Sequence, residues 1–310
     1  MLKRLYQSLF VMAAVLTIVF FVGRMIGDPA LVMLGAEANP DAVQRVRTNL
    51  GLDDPVLVQY FRFLWGAVQG DLGNSYWQGV PALPLVVARL PATLFLAACA
   101  FAIAIPLGIT IGAVAAWRPG SIIDRFSNVL SLAGASIVDF WVALMLIFLV
   151  AVQIGWLPTS GFGGVGWSGL PYVVLPAITL AIRPMGRVAQ VSRSAMLDEL
   201  SKPYAKMARA KGLRERKVVG KHALKNAMIP TITLSGDELT SMVNGVIILE
   251  VIFAWPGVGQ LLIQGVQRRD LPMVEAVVFV IAVMVILINL TVDLLYARMD
   301  PRIRYDSITS

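Results

Sequence analysis

Six stretches of this chain, near residues 5–26, 91–117, 126–154, 171–195, 227–253 and 273–297, are apolar over enough length to cross a bilayer as helices. About 20 helical residues cover the roughly 30 Å of hydrocarbon, where only a helix or a closed barrel satisfies its own backbone polar groups. The composition agrees: 57% hydrophobic and 15% charged residues, with a mean hydropathy of +0.75, lie well outside the range of soluble domains. The expectation is an all-α integral membrane protein with six transmembrane helices, forming a single transmembrane domain over residues 1–310.

The first stretch follows Lys3 and Arg4, and Ala36-Glu37-Ala38 has the small-residue pattern of a leader cleavage site. Its apolar run exceeds the usual leader core of about 7–15 residues, and the pattern lies too far beyond it, so a retained span is expected. Cation placement then sets orientation. With both termini cytoplasmic, the inner segments carry seventeen Lys and Arg and the outer segments seven, the asymmetry that cytoplasmic loops produce. Residues 28–90 become a long extracytoplasmic loop with four cations and six acids. Within it, NPDAVQRVRTNLG reads as a short amphipathic helix with Val43, Val46 and Leu50 on one face. Tyr60, Phe61, Phe63, Trp65, Tyr76 and Trp77 follow, a cluster suited to anchoring at the membrane interface.

Several chemistries are excluded. Cys99 and His222 are the single cysteine and histidine, so neither a disulfide framework nor a Cys/His metal site assembles within the chain. A phosphate-binding loop is missing, since Gly220-Lys221 is followed by His222, and the protease and hydrolase signatures are also absent. No catalytic residue is assigned. Gly108-x-x-x-Gly112 needs no more than close helix packing, and the net charge of +7 needs no nucleic acid when cations collect in short loops.

One of those loops is unusual. Residues 202–230 hold nine cations and one acid. Pro203 suits a first helical turn and Gly212 a left-handed stop, which delimits a helix over 203–211. On a helical wheel Tyr204, Met207 and Ala208 share one face and Lys202, Lys206 and Arg209 the other. Such a helix can dock on a protein partner or lie on anionic lipid.

The stretch YAKMARAKGL followed by HALKNAMIP resembles the cytoplasmic loop of permease subunits of ATP-binding-cassette (ABC) importers. LGLDDPVLVQYFRFLWGAVQGDLGNS, LEVIFAWPGVGQLL and VDLLYARMDPRIRY extend the likeness, in order, to the first-permease type of the dipeptide, oligopeptide and nickel branch. The resemblance implies a type I ABC importer permease fold, a cytoplasmic coupling loop over 198–226, and contact with a cytoplasmic ATPase through Tyr204, Ala208, Arg209, Ala210, Lys211 and Gly212. Lys206-Met207-Ala208 stands where the general importer motif has Glu-Ala-Ala, and Arg214 where a serine is frequent. It implies a multi-pass protein of the bacterial inner membrane. Its expected partners are a second homologous permease, two ABC ATPases and an extracytoplasmic substrate-binding protein, with a peptide substrate and membrane lipid in contact with the chain. No cofactor is expected in this chain; ATP and magnesium belong to the partner ATPases. Nickel or another small solute is the alternative cargo, and an ATP-independent channel or secondary transporter the alternative mechanism.

Two further sets of residues bear on the pathway. Asp139 falls near the middle of the third stretch, Asp237 and Glu238 fall within the fifth, and Asp237, Ser241 and Asn244 follow i, i+4, i+7 spacing there. A mid-bilayer carboxylate costs about 2.5–3.5 kcal/mol even on a lenient scale, so these groups line a water-filled path or pair with Arg183 and Arg187. Lining would favour positively charged cargo. In AWPGVGQLLIQG, Pro256, Gly257 and Gly259 permit a tight turn and Trp255 suits the interface. The resemblance makes Trp255, Pro256 and Gly257 the edge of an outer gate; a packing element is the other reading.

Overall fold

The computed structural model describes residues 2–26, 29–34 and 39–299. Ala36-Glu37-Ala38, Arg302, Arg304 and the end of VDLLYARMDPRIRY lie outside them. The described residues are helical apart from turns, loops and one isolated bridge between Asn74 and Pro81. In chain order the helices are α1 (Leu2–Ile26), α2 (Pro29–Leu34), α3 (Pro40–Leu50), α4 (Val56–Gln69), α5 (Ala82–Trp117), α6 (Ile122–Ser136), α7 (Asp139–Leu146), α8 (Leu170–Ser201), α9 (Pro203–Ala210), α10 (Glu215–Lys217), α11 (Leu224–Ile252), α12 (Val258–Gln267) and α13 (Leu271–Met299). The coil widens to π-helix over Ile147–Gln153 after α7 and over Val218–Ala223 before α11.

Helices occupy all six apolar stretches, yet among the described residues three combine the length and apolarity of a span: Ala82–Trp117, Trp167–Ser201 and Leu271–Val292. A fourth, Ile122–Gly134 with Asp139–Gln153, is bent by 113°. The continuous helix expected over 126–154 is therefore broken. Ile137 and Val138 are extended, with φ/ψ of −87°/135° and −81°/133°, a conformation their β-branched side chains favour. Asp139 then opens α7, where a carboxylate complements the exposed N–H groups. The long outer loop is also more ordered than its name suggests. It contains α2, α3 and α4, and α5 begins at Ala82, nine residues before the expected 91.

The chain divides into two compact units, Met1–Thr93 with Pro256–Ile286, and Leu94–Trp255 with Leu287–Ser310. In the first, Leu72, Ala82, Val86, Val258, Leu261, Met273, Ala276, Val277 and Val280 form a buried core. Helices α1 and α4 are stitched by polar side chains: Gln59 donates to the Leu52 and Asp54 carbonyls, and Arg24 Nε donates to Gln59 Oε1 at 3.0 Å. The Phe20 ring meets Phe21, Tyr60 and Phe63, while Phe61, Trp65 and Trp77 are exposed. The aromatic cluster thus splits into a packed half and an outward half.

In the second unit, α8 is the central helix. Gly108 and Gly112 let α5 approach it: a Cβ on Gly112 would stand 2.3 Å from the Ala189 carbonyl oxygen, and one on Gly108 2.9 Å from that of Met185. Close packing is thus the physical content of the Gly-x-x-x-Gly pattern. On α6, Ser131 Oγ donates to the Gly186 carbonyl at 2.7 Å, and Arg193 forms a two-pronged ion pair with Asp124.

Asp270 fixes residues 75–77 of the first unit. It is 2% exposed, and its carboxylate accepts from Ser75 Oγ, Tyr76 N–H at 3.0 Å, Trp77 N–H at 3.3 Å and Met273 N–H at 3.3 Å. Each donor left unpaired costs about 1–3 kcal/mol. Asp270→Ala is expected to destabilise the detergent-solubilised protein by at least about 2 kcal/mol on that basis and to open residues 71–81 to protease. Thermal unfolding followed by limited proteolysis checks this, and an unchanged midpoint with an unchanged cleavage pattern would refute it.

Candidate functional site

The residues expected at the pathway lie in the second unit. On α11, Asp237 and Asn244 are exposed and Ser241 is half-buried, whereas Glu238, Met242 and Val243 turn inward. Asp139 lies beside this helix, its Oδ2 3.8 Å from where a Gly245 Cβ would stand. Helix breakage, unforeseen from sequence, is what puts that carboxylate at the start of α7.

The arginines of α8 reach other partners than the two aspartates. Arg183 Nη2 donates to Ser241 Oγ at 3.2 Å. Arg187 Nη1 lies 2.6 Å from Glu238 Oε1, with Glu238 fully buried and the Arg187 side chain 53% exposed. Neither Glu238 oxygen accepts a hydrogen bond of ordinary geometry, so this is an ion pair by proximity. Asp139 and Asp237 make no ion pair among the described residues. One face of this unit therefore presents both signs of charge, Arg183 and Arg187 beside Asp139 and Asp237, with Ser241 and Asn244 between.

The basic segment folds as anticipated from Pro203 and Gly212: α9 spans Pro203–Ala210 and Gly212 is left-handed at φ 76°. Its orientation differs from the wheel. Ala205 is fully buried and Tyr204 and Ala208 are half-buried, whereas Met207 is 60% exposed. Met207 thus stands with Lys206, Ala210 and Lys211 on the free side, an apolar side chain within a basic patch. Two of the expected contact residues are engaged within the chain. Tyr204 Oη donates to Glu199 Oε2 at 2.6 Å, and Arg209 bonds both Glu215 oxygens and the Leu200 carbonyl. Lys202 pairs with Glu199 at 2.6 Å, and Asn226 Nδ2 stands 3.4 Å from the same carboxylate. Burial and the Glu199 bond raise the Tyr204 hydroxyl above its ordinary value, and the Arg209 hydrogen bonds hold the Glu215 carboxyl below its own. The hub Glu199 escaped sequence reading; its signal is an acid placed just before a run of cations.

Around residues 253–258 the structure corrects one expectation. Trp255 is fully buried, not interfacial: Phe162 packs edge-on at 4.8 Å and Phe95 stacks at 6.4 Å. The glycine-rich turn holds that arrangement, since Gly161 N–H donates to the Phe253 carbonyl at 2.9 Å. Gly257 caps α12, whose Val258 N–H donates to Thr93 Oγ1 at 2.9 Å. Among the described residues no three His, Cys, Asp or Glu side chains gather as a metal-holding group.

Comparison with known proteins gives concordant matches. Residues 108–305 match the family described as binding-protein-dependent transport system inner membrane component, and residues 1–97 match the N-terminal region of such components. A protein of Brucella abortus (strain 2308) that carries the name of a peptide transport system permease is 39% identical over 311 residues, covering 98% of each chain. The dipeptide transport system permease protein DppB of Escherichia coli (strain K12) is 38% identical over 312 residues, covering 92% of each. Among solved structures, an amino acid ABC transporter aligns with a TM-score of 0.52 at 19% identity, over 69% of this chain and 94% of the other. The MetNI methionine ABC transporter aligns with a TM-score of 0.51 at 18% identity, over 77% and 98%. At that identity the likeness concerns the fold.

The α9 brace carries a pH dependence of definite sign. Because Glu215 is held below its usual carboxylate range, its support is present at neutral pH and above an unfolded value of about 4.3. It is lost as pH falls through the lower folded value. Both partners are exposed, so the effect is small and salt-screened. Amide protection across 203–213, taken relative to the intrinsic exchange rate at each pH, is expected to fall on acidification below about pH 4, while Glu215→Gln is less protected at pH 7 and its protection changes little with acid. Identical exchange in the two proteins at pH 7 would refute the brace.

Proposed function

The chain belongs to the binding-protein-dependent transport system inner membrane components, and from that premise we propose that it is one of two permease subunits of an ATP-driven importer of di- and oligopeptides. In this reading six helical passes, the third of them broken at 136–138, leave both termini cytoplasmic, with 28–90 outside and 198–226 inside. A second homologous permease supplies the other wall of the pathway. Two ATPases that use ATP and magnesium dock on the cytoplasmic face, and an extracytoplasmic binding protein delivers peptide. The chain itself performs no covalent chemistry.

The observation that carries the proposal is the construction of α9. Its own unit takes Ala205 and restrains Tyr204 and Arg209, leaving Met207 exposed among cations. A short helix bonded to its base, with an apolar residue outward, suits a protein groove better than loose lipid contact. Closure of the ATPases would pull α9, and the helices bonded to it would tilt and alternate access to the pathway. Similarity to named peptide permeases across nearly the whole chain supports the cargo class.

The test is ATP-driven dipeptide uptake in vesicles containing the assembled complex. Met207→Glu is expected to leave membrane insertion intact, to reduce co-purification of the ATPases and to abolish uptake. Uptake at the wild-type rate by the variant, or uptake undiminished after ATP depletion of wild-type vesicles, would overturn the proposal.

A further inference from the structure

Arginine is costly inside a membrane domain and is retained where it pairs or serves a pathway. Arg187 meets buried Glu238, which accounts for its presence. Arg183 makes no contact ion pair among the described residues: its guanidinium donates to the Ser241 hydroxyl, a neutral group, and it acts on buried Glu238 only at longer range, behind Arg187. Asp237, one turn before Ser241 on α11, is exposed and likewise without an ion-pair partner among the described residues. Through Ser241, Arg183 of α8 thus reaches α11 one turn from Asp237, and the two charges form no ion pair with each other.

We propose that Arg183 and Asp237 are specificity-determining residues that receive the two termini of a short peptide, Arg183 the carboxylate and Asp237 the ammonium group. This rests on the peptide-importer reading above. Residues 237 and 241 are separated by about 6 Å along the helix axis at 1.5 Å per residue, and an extended dipeptide spans at most about 7 Å. A guanidinium matches a carboxylate in a two-pronged geometry. Ser241 holds the Arg183 fork in place, which lowers the ordering cost of binding. Asp139 and Asn244 add polar capacity along the same face. In this proposal the cargo carries both charges, in place of the purely cationic cargo expected from Asp139 and Asp237 alone, because Arg183 adds a cation beside Asp237.

The experiment compares wild type, Arg183→Gln and Asp237→Asn in the complete complex, assembled with its ATPases, second permease and binding protein in vesicles. Three probes are used: a dipeptide with free termini, its carboxy-terminal amide and its N-acetylated form. Rates are taken as variant over wild type for each probe, which cancels any preference of the shared binding protein. Glutamine at 183 keeps a donor for Ser241, and co-purification of the partner subunits controls for assembly. Arg183→Gln is expected to slow the free dipeptide about tenfold or more, the loss of one charge-assisted contact, and to leave the amide near its wild-type rate. Asp237→Asn is expected to slow the free dipeptide and the amide but not the acetylated form. Wild-type rates for the free dipeptide in both variants, or equal losses on every probe that wild type transports, overturn the assignment while leaving the importer reading intact. Absence of ATP-dependent dipeptide uptake by the wild-type complex overturns both.

Discussion

A backbone removed from water has to satisfy its own polar groups, and this requirement organises the structure more than any single contact. Helices meet it along their length. The exposed risk lies where helices stop, and there the sequence supplies side-chain partners: Ser121 Oγ accepts from Asp124 N–H, Thr93 Oγ1 from Val258 N–H, and the Asp270 carboxylate from Tyr76, Trp77 and Met273 N–H. The turn at 254–257 is followed by the Thr93 bond in this way, whereas the break at 136–138 has no side-chain cap and is closed by the backbone, Ile137 N–H donating to the Ala133 carbonyl. Ala254 even adopts a left-handed φ of 48°, with the buried Trp255 ring packed directly after it.

Charge follows the same economy. Asp124 is met by Arg193, Glu238 by Arg187 and Glu275 by Arg24 at 3.7 Å. Removing the arginine leaves a buried carboxylate uncompensated, a cost of about 3–5 kcal/mol where both partners are buried and less where, as at Arg187, the cation is half exposed. These pairs are structural commitments, and they separate charges that hold the fold from charges available to a ligand. Arg183 and Asp237 make no contact ion pair; Arg183 acts on buried Glu238 only at longer range, behind Arg187, and its donor goes to Ser241, which is why the proposal places them in the second class.

Much of this architecture is legible in the sequence, for identifiable reasons. Runs of apolar residues about 20 long announce the helices because hydrocarbon thickness is fixed. Pro203 and Gly212 announce α9 because each restricts backbone geometry locally. The break at Ile137-Val138 was not legible: two β-branched residues within an apolar run read as span, and only tertiary context selects their extended form. Trp255 was misassigned for a related reason, since the residue type suits both an interface and a core, and Phe162, nearly a hundred positions away, decides it. The exposure of Met207 depends on how α9 rolls on its unit, and Ala205 and Tyr204 fix that roll through contacts no wheel contains. Asp270 follows Arg268 and Arg269 and reads as part of a charged surface turn, although its carboxylate organises residues 75–77, far away in sequence.

The bonds around α9 also limit what a force applied to it can do. Glu199 and the Leu200 carbonyl tie it to the end of α8, and Asn226 ties the same cluster to the start of α11. Farther along, the same two helices are linked by Arg187 with Glu238 and by Arg183 with Ser241. Arg183 lies eighteen residues before Ser201, about 27 Å along a helix at 1.5 Å per residue. Two helices joined at both levels resist sliding past each other, because sliding would break the ion pair of a fully buried carboxylate. Tilting them together breaks neither link. In the proposed importer, a pull on α9 would therefore be transmitted as a joint rotation of α8 and α11, and the mixed-charge face would turn with them as one surface.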